Sequence, residues 1–133
     1  MICADTTFLV DLWRRKDLSE SPARGFLAMH PGEVFAVPAH AAGEFLEGGA
    51  SVSGERLQDS LAFLRLFRIG HVTLETARRY ATIVSSLRRE NALHGRSKPD
   101  LWIAAWAIEH DAQLVTRNTR HFGDIPGLRV ASY

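Results

Sequence analysis

Short apolar stretches alternate along this chain with longer stretches in which apolar residues recur at helical spacing. Short apolar runs bounded by turn residues are typical of β-strands, and a repeat of three to four residues is typical of helices. The predicted strands are residues 1–4, 33–37, 67–72, 113–116 and 128–131.

The predicted helices lie between these strands. Their spans are residues 6–13, 18–29, 38–46, 54–66, 73–91 and 99–110. Thr6 and Thr7 are suited to cap the first helix. Gly48 and Gly49 are expected to end the third helix, because glycine commonly follows the last helical residue.

This alternation predicts an α/β fold with a mostly parallel sheet. We find no linker and no internal repeat, so one domain is expected over residues 1–133. In parallel sheets, ligands bind beyond the carboxyl ends of the strands. Asp5 follows the first predicted strand and Asn118 follows the fourth, which makes both candidates for a site at that edge.

Composition narrows the possible functions. The formal net charge is +1, so a nucleic-acid site would have to be local rather than spread over a basic surface. The single cysteine, Cys3, lies in an apolar strand and is expected to be a buried, inert thiol. No stretch resembles a signal peptide or approaches about 18 apolar residues, so we expect a cytoplasmic protein without membrane contact.

Four polar residues on different predicted elements suggest hydrolysis of a phosphodiester: Asp5, Glu44, Asp100 and Asn118. Such a reaction needs a positioned water and neutralised phosphate oxygens, which Mg²⁺ or Mn²⁺ bound by carboxylates supplies. Each residue also has a purely structural interpretation. Asp5 could cap a helix, Glu44 could be a solvated surface residue, Asp100 could form a capping box with Ser97, and Asn118 could serve a turn.

Three segments carry a resemblance to a known family. Residues 4–11, Ala-Asp-Thr-Thr-Phe-Leu-Val-Asp, resemble the first motif of PIN domains, in which an Asp ends the first strand and a hydroxyl residue follows. Residues 99–107, Pro-Asp-Leu-Trp-Ile-Ala-Ala-Trp-Ala, resemble the helix with the third acid of that family. Residues 114–122 and 125–128 are similar to the closing motif of VapC-like and FitB-like toxins, and Glu44 lies where the family keeps its second acid.

The resemblance implies a PIN-like fold, with a twisted parallel sheet of about four or five strands flanked by helices. It implies a Mg²⁺- or Mn²⁺-dependent ribonuclease, the toxin of a type II toxin–antitoxin pair, which cuts RNA, forms a homodimer and is inhibited by a cognate antitoxin. Asp5, Glu44 and Asp100 would ligate the metal, and Asn118 would complete or orient the ligand shell. Thr6 would hold a carboxylate or a metal-bound water.

The chain departs from the family pattern at Asn118, where many PIN domains have Asp, and at His121, close to which another Asp is common. Asparagine can ligate through its carbonyl oxygen but brings no charge, so a first metal is expected and a tight second one is not. His121 is open to two interpretations, a contact with phosphate or leaving group and an ordinary surface-loop residue.

Four basic residues flank the motifs closely enough to hold an RNA backbone: Arg96, Lys98, Arg117 and Arg120. We expect one or two of them to touch RNA and the others to be solvated. Trp102 and Trp106 are four residues apart on one predicted helix. Packing in the core or in a dimer is the favoured interpretation for both, and stacking on bases is the alternative.

Other functions fit parts of the pattern. A PIN nuclease of RNA maturation would share the same residues, and a catalytically silent module could bind RNA or a partner in the same pocket. A phosphoacceptor receiver domain also places acids at strand ends, but it needs an Asp after a middle strand. No Asp closely follows residues 33–37, which argues against the receiver domain.

Overall fold

A computed structural model of the chain describes residues 1–14 and 21–133. The strands of these residues are β1 (Ile2–Ala4), β2 (Phe35–Pro38), β3 (Arg68–Gly70), β4 (Gln113–Val115) and β5 (Val130–Ala131). The helices are α1 (Thr6–Arg14), α2 (Pro22–Met29), α3 (Ala39–Ala50), α4 (Gly54–Leu64), α5 (Leu74–Arg89) and α6 (Lys98–Glu109). A short 3₁₀ turn covers Thr119–His121.

The strands form one sheet in the order β3-β2-β1-β4-β5, and every neighbouring pair is parallel. The predicted α/β fold with a parallel sheet of about four or five strands is therefore confirmed. The first strand lies at the centre, so its carboxyl end is flanked by those of β2 and β4. This order places whatever follows β1 in the middle of one sheet edge.

The core fills the space between the sheet and the helices. Three of the largest fully buried side chains are Trp106, Phe8 and Phe122. Helix α6 presents three completely buried alanines, Ala104, Ala105 and Ala107, so it packs closely against its neighbours. This close packing fixes the N-terminal turn of α6, where Asp100 lies.

Two expectations about helix ends were wrong. Asp5 caps α1, since its carboxylate accepts a hydrogen bond from the backbone nitrogen of Phe8, whereas the hydroxyls of Thr6 and Thr7 donate to carboxylates. Helix α3 continues through Gly48 and Gly49 to Ala50. A glycine ends a helix only where the chain turns into the left-handed region, and here the backbone stays helical.

The remaining boundaries shift by a few residues. Helix α2 begins at Pro22 after the N-cap Ser21, whereas its predicted start at residue 18 lies outside the described residues. The predicted strands are all present but shorter, and β2 ends at Pro38, one residue beyond its predicted end. No helix in the described ranges is both long enough and apolar enough to cross a membrane.

Candidate functional site

The candidate residues come from four places that the fold brings to one region. Asp5 directly follows β1, Glu44 lies on α3, Asp100 is in the first turn of α6, and Asn118 precedes the 3₁₀ turn after β4. Because β1 and β4 are paired in parallel register, Ala4 opposite Val115, their carboxyl ends meet. The site is thus built at the edge that the alternation of strands and helices predicts.

Asp5 is almost completely enclosed by hydrogen-bond donors, with 2% of its surface exposed. The hydroxyl of Thr7 lies 2.8 Å from both carboxylate oxygens, and the backbone nitrogen of Phe8 donates to Oδ1 at 2.8 Å. The hydroxyl of Thr116 donates to Oδ2 at 2.5 Å. Four contacts from three residues hold the carboxylate in one orientation.

The pKa of Asp5 is raised above its ordinary value. Burial is the main cause, since removing a carboxylate from water disfavours its charged form. The hydrogen bonds from Thr116, Phe8 and Thr7 oppose this rise, and the nearby charge of Asp100 adds to it by a smaller amount. Asp5 and Asp100 are therefore close enough for their charges to interact, and a bound cation would relieve both effects.

Glu44 is connected to this centre through Thr6. The Thr6 hydroxyl donates to Oε2 of Glu44 at 2.8 Å, which joins α3 to the first residue of α1. Thr6 is the neighbour of Asp5 in the chain, so this bond holds the Glu44 carboxylate beside the end of β1. Among the described residues, the other carboxylate oxygen of Glu44, Oε1, accepts no hydrogen bond.

Asp100 uses its backbone and its side chain for different purposes. Its amide donates to the hydroxyl of Ser97, the N-cap of α6, at 3.3 Å. Its carboxylate does not complete a capping box; Oδ2 lies 3.2 Å from Nδ1 of His121 instead. Helix capping therefore does not account for the position of this carboxylate.

His121 belongs to the same group. Its Nδ1 atom lies 3.2 Å from Asp100 Oδ2 and 2.7 Å from the side-chain amide of Asn118. One ring nitrogen cannot donate to a carboxylate and accept from an amide at once. With the proton on Nδ1, His121 donates to Asp100, and the Asn118 amide then presents its carbonyl oxygen to the ring, since amide oxygen and nitrogen are interchangeable in position.

The donor set has the chemistry of a Mg²⁺ site, which is carboxylate oxygen with an amide nearby. In the described part of the chain, neither Lys nor Arg forms an ion pair with Asp5, Glu44 or Asp100. Over the same residues, no three Cys, His, Asp or Glu side chains are close enough together to hold a metal ion as they stand. Ligation of one ion by all three acids thus remains a prediction, and it requires side-chain movement.

The four basic candidates differ in what they already bind. Arg96 is engaged, donating to the carbonyls of Ala92 and His121 and to Asp124. Arg117 pairs with Asp11 at 2.9 Å but is largely exposed.

The side chains of Lys98 and Arg120, by contrast, have no hydrogen-bond or ion-pair partner among the described residues. Arg120 lines a polar cavity of about 500 Å³ on the Asn118 side of the acids, together with His94 and His121. These two free cations are the ones placed to accept an anion.

Thr7 and Thr116 hold Asp5; the sequence suggested Thr7 only as a helix cap and did not single out Thr116. Thr116 follows Val115, whose partner Ala4 precedes Asp5, so the two residues leave paired strands side by side. A hydroxyl residue ending the strand next to β1 was the available signal. It becomes informative only once the pairing of β1 with β4 is known.

Comparisons with known proteins agree with this geometry. A family profile described as PIN domain matches residues 2–128. VapBC2 from Rickettsia felis, solved with a DNA fragment from its promoter, aligns with a TM-score of 0.85 at 23% identity over 100% of this chain and 99% of that chain. FitAcB from Neisseria gonorrhoeae gives 0.74 at 25% identity over 98% and 96%.

A third solved structure is VapC20 from Mycobacterium tuberculosis, described as a sarcin-ricin loop cleaving toxin. It aligns with a TM-score of 0.67 at 19% identity over 97% of this chain and 99% of that chain. Among curated proteins, none matches. The family profile covers nearly the whole described chain and includes all four candidate residues. The chain therefore belongs to the PIN domain family.

Proposed function

We propose that this protein is a metal-dependent endoribonuclease and the toxin of a type II toxin–antitoxin pair. The observation that carries the proposal is Asp5, a buried carboxylate at the carboxyl edge of the sheet. Among the described residues it pairs with no Lys or Arg, and a second acid, Asp100, is close by. Two carboxylates that lie close together without a Lys or Arg partner repel each other, whereas a divalent cation binds between them. The PIN family and the toxin–antitoxin complexes of similar fold support the same function.

Asp5, Asp100 and Glu44 would hold Mg²⁺ or Mn²⁺, and Asn118 would complete or orient the shell. A bound ion of this kind lowers the pKa of its water and neutralises charge on the phosphate. The protein contributes orientation: Thr7, Phe8 and Thr116 fix Asp5.

Two further contacts orient the other acids. Thr6 fixes Glu44, and His121 holds Asp100. Such partners of metal ligands are typical of preorganised sites, in which their loss weakens metal binding.

Phosphates on either side of the cleaved bond would meet the two free cations. Arg120 lines the polar cavity on the Asn118 side, and Lys98 lies at the start of α6 on the opposite side, toward Glu44. Arg117 and Arg96 would contribute less, because each already binds a carboxylate. A strand that crosses the acids between Lys98 and Arg120 would be cut to leave a 5′-phosphate and a 3′-hydroxyl.

The deciding experiment is cleavage of total RNA by the purified protein with Mg²⁺, with Mn²⁺ and with chelator, followed by mapping of the new 5′ ends. We expect discrete metal-dependent cuts that are absent from Asp5→Asn and Asp100→Asn. Asp59→Asn changes an exposed acid outside the site and is the matched control. Equal cutting by Asp100→Asn, or cutting that chelator does not affect, would contradict the proposal and leave a silent binding module as the better explanation.

A cognate antitoxin is the second part of the proposal. The described residues enclose an apolar groove of about 1190 Å³ between α2 and the β2–β3 side of the sheet, lined by Gly25, Leu27, Phe35, Phe63 and Phe67 among others. An apolar segment of a partner fits such a groove. A partner long enough to extend from the groove, at the amino ends of β2 and β3, to the carboxyl edge of the sheet would place an Arg or Lys in the acidic site and block it.

Gly25→Trp tests this surface, since no atom lies within 4 Å of the position that a Cβ would take there. We expect the bulky side chain to fill the groove and abolish co-purification with the antitoxin while RNA cleavage persists. Gly48→Trp, at another glycine with open space, is the control. The proposed homodimer is checked on the same samples by analytical ultracentrifugation.

A further inference from the structure

A further cavity, of about 440 Å³, lies beside Glu44. It forms where α3, the connection between β3 and α5, and the first turns of α6 meet. Its walls are His40, Glu44, Val72, Lys98, Pro99 and Trp102, and we name it the Trp102 cavity. Cavities of about 300–1,000 Å³ with mostly apolar walls and a few polar groups are typical small-ligand sites.

Trp102 gives this cavity a rigid aromatic wall. Its indole stacks on Tyr80 with the ring centroids 4.3 Å apart and the planes 10° from parallel, so α5 holds the ring in place. Val72, which is 40% exposed, and Pro99 add apolar surface. A planar guest with an apolar face would find an ordered surface on which to stack.

His40 supplies two ring nitrogens that have no hydrogen-bond partner among the described residues. Both ring nitrogens are shielded from water and lack a partner of hydrogen-bond geometry, although the Pro99 carbonyl lies nearby. A buried polar atom without a partner destabilises the protein, and its persistence needs an explanation. Since the imidazole forms part of the cavity wall, rotation about its Cβ–Cγ bond would turn a nitrogen toward a guest.

Two charged residues orient the guest with respect to the acids. Lys98 forms part of the cavity wall, and its side chain has no ion-pair partner among the described residues, which favours a guest attached to an anion. Glu44 joins the cavity to the acidic site, because its carboxylate also binds Thr6, the neighbour of Asp5. A guest in this cavity is therefore adjacent to whatever the acids bind.

We propose that the Trp102 cavity binds one unpaired nucleobase of the RNA substrate, next to the cleaved phosphodiester. The base stacks on Trp102, its edge is read by His40, and its phosphate pairs with Lys98. Recognition of this kind, by stacking and by hydrogen bonds to an exposed base edge, is how proteins read single-stranded RNA. The inference rests on the proposed ribonuclease function and makes the cavity the source of its base preference.

The first test compares short oligoribonucleotides, each of which has an abasic nucleotide at one position near the cut. We expect kcat/KM to fall about 10-fold to 100-fold when the base at a single position is removed, as befits the loss of one stacked base. Val72→Trp should fill the cavity, so that the ratio of kcat/KM for the intact oligoribonucleotide to kcat/KM for the abasic one falls to near one. Val52→Trp, at a valine that is 72% exposed and outside the cavity, should keep the ratio of the parent.

The second test separates recognition of the base edge by His40 from stacking of the base on Trp102. His40→Leu keeps an apolar group of similar size but removes the polar atoms, so discrimination among the four bases should weaken while the abasic penalty remains. A positional base preference that survives both Val72→Trp and His40→Leu would overturn the proposal. Weaker antitoxin binding by Val72→Trp with unchanged base preference would do the same, because the cavity would then serve a protein partner.

A binding measurement distinguishes failure of the cavity from failure of the nuclease. Asp100→Asn is titrated against oligoribonucleotides that carry 2-aminopurine at successive positions, whose fluorescence is quenched by stacking. We expect quenching at one position, lost in the Val72→Trp double variant and kept in the Val52→Trp double variant. Quenching without cleavage by the parent would refute the nuclease and support the cavity; cleavage without position-specific quenching would refute the cavity alone.

Discussion

At the scale of single residues, the carboxylate of Asp5 serves the fold and the proposed site together. It accepts a hydrogen bond from the backbone nitrogen of Phe8 at the start of α1 and further hydrogen bonds from the hydroxyls of Thr7 and Thr116. The structural interpretation of Asp5 as a helix cap is therefore correct, and it does not compete with the functional one. A cap needs one oxygen of an acid, whereas burial of the whole carboxylate beside Asp100 raises its pKa and lowers stability.

This cost predicts how stability depends on pH. Because the pKa of Asp5 is raised in the folded chain, folding favours its protonated form. The free energy of unfolding should fall as pH rises from the unfolded pKa of about 3.9 through the raised folded pKa, and the fall is complete above it. Asp5→Asn has no carboxyl group to titrate here. Its free energy of unfolding, measured with urea in chelator, should therefore decline less steeply with pH over that window.

Asp59→Asn provides the comparison for this measurement, since Asp59 is an exposed carboxylate on α4. Its unfolding free energy should follow the pH dependence of the parent. If the unfolding free energy of Asp5→Asn declined with pH as steeply as that of the parent, burial would not govern the titration of Asp5.

A second prediction at this scale concerns Thr6, whose hydroxyl donates a hydrogen bond to the Glu44 carboxylate at 2.8 Å. Thr6→Val keeps the shape of the side chain and removes the donor, so Mn²⁺ affinity and cleavage should fall about 10-fold to 100-fold, as for other partners of metal ligands. Thr6→Ser retains the hydroxyl and should restore both. Equal loss in both variants would indicate a packing role instead, and calorimetric titration with Mn²⁺ measures the affinity.

At the scale of elements, the pattern of apolar residues predicted the order of strands and helices, but local signals failed at α3. Gly48 and Gly49 indicated a helix end, yet the helix continues because α3 packs on α4. A Cβ on Gly49 would lie 2.5 Å from Ser60 Oγ and 3.0 Å from the Arg56 carbonyl. The glycine permits close approach of two helices, which is a tertiary requirement that a local signal does not reveal.

The two glycines should therefore respond oppositely to alanine. Gly48 has open space at its Cβ position, so Gly48→Ala should stabilise the chain by about 0.5–1 kcal/mol through better helix propensity. Gly49→Ala should destabilise it by about 1–3 kcal/mol, because the methyl group meets the backbone of α4. Urea unfolding of both variants checks the pair, and stabilisation by both would mean that α3 and α4 are not in close contact.

The pattern that predicts the succession of strands and helices also predicts part of the candidate site. The rest of the site depends on tertiary contacts, as the end of α3 does. Strand ends supplied Asp5 and Asn118, and the family motifs supplied Glu44 and Asp100. The partners that hold them, Thr116 foremost, depend on which strands are neighbours, and the sequence does not state that β1 pairs with β4. Contacts across the sheet thus decide the details of the site, and only the structure contains them.

At the scale of the whole molecule, the acids link the stability of separate elements. Asp5 ends a central strand, Glu44 belongs to α3 and Asp100 opens α6, so a cation bound by all three would tie these elements together. In the unfolded chain the three are 39 or more residues apart in sequence order and form no site. A metal that binds only the folded chain must stabilise it.

The last prediction follows from this linkage. At a free Mg²⁺ or Mn²⁺ concentration of 100 times the dissociation constant, the parent should gain about 2.7 kcal/mol of unfolding free energy. For a domain of this size that corresponds to a rise in melting temperature of roughly 10 °C. Asp100→Asn should gain much less, since one charged ligand is absent.

Its fold should nevertheless survive, because the amide of Asp100, and not its carboxylate, binds the N-cap Ser97. In chelator it should melt no lower than the parent, since the charge beside Asp5 is removed. Melting curves of parent, Asp100→Asn and Asp59→Asn, with chelator and then with metal, compare all three. Equal gains in parent and Asp100→Asn would show that Asp100 does not ligate the ion, and the proposed nuclease site would then lose one of its two central acids.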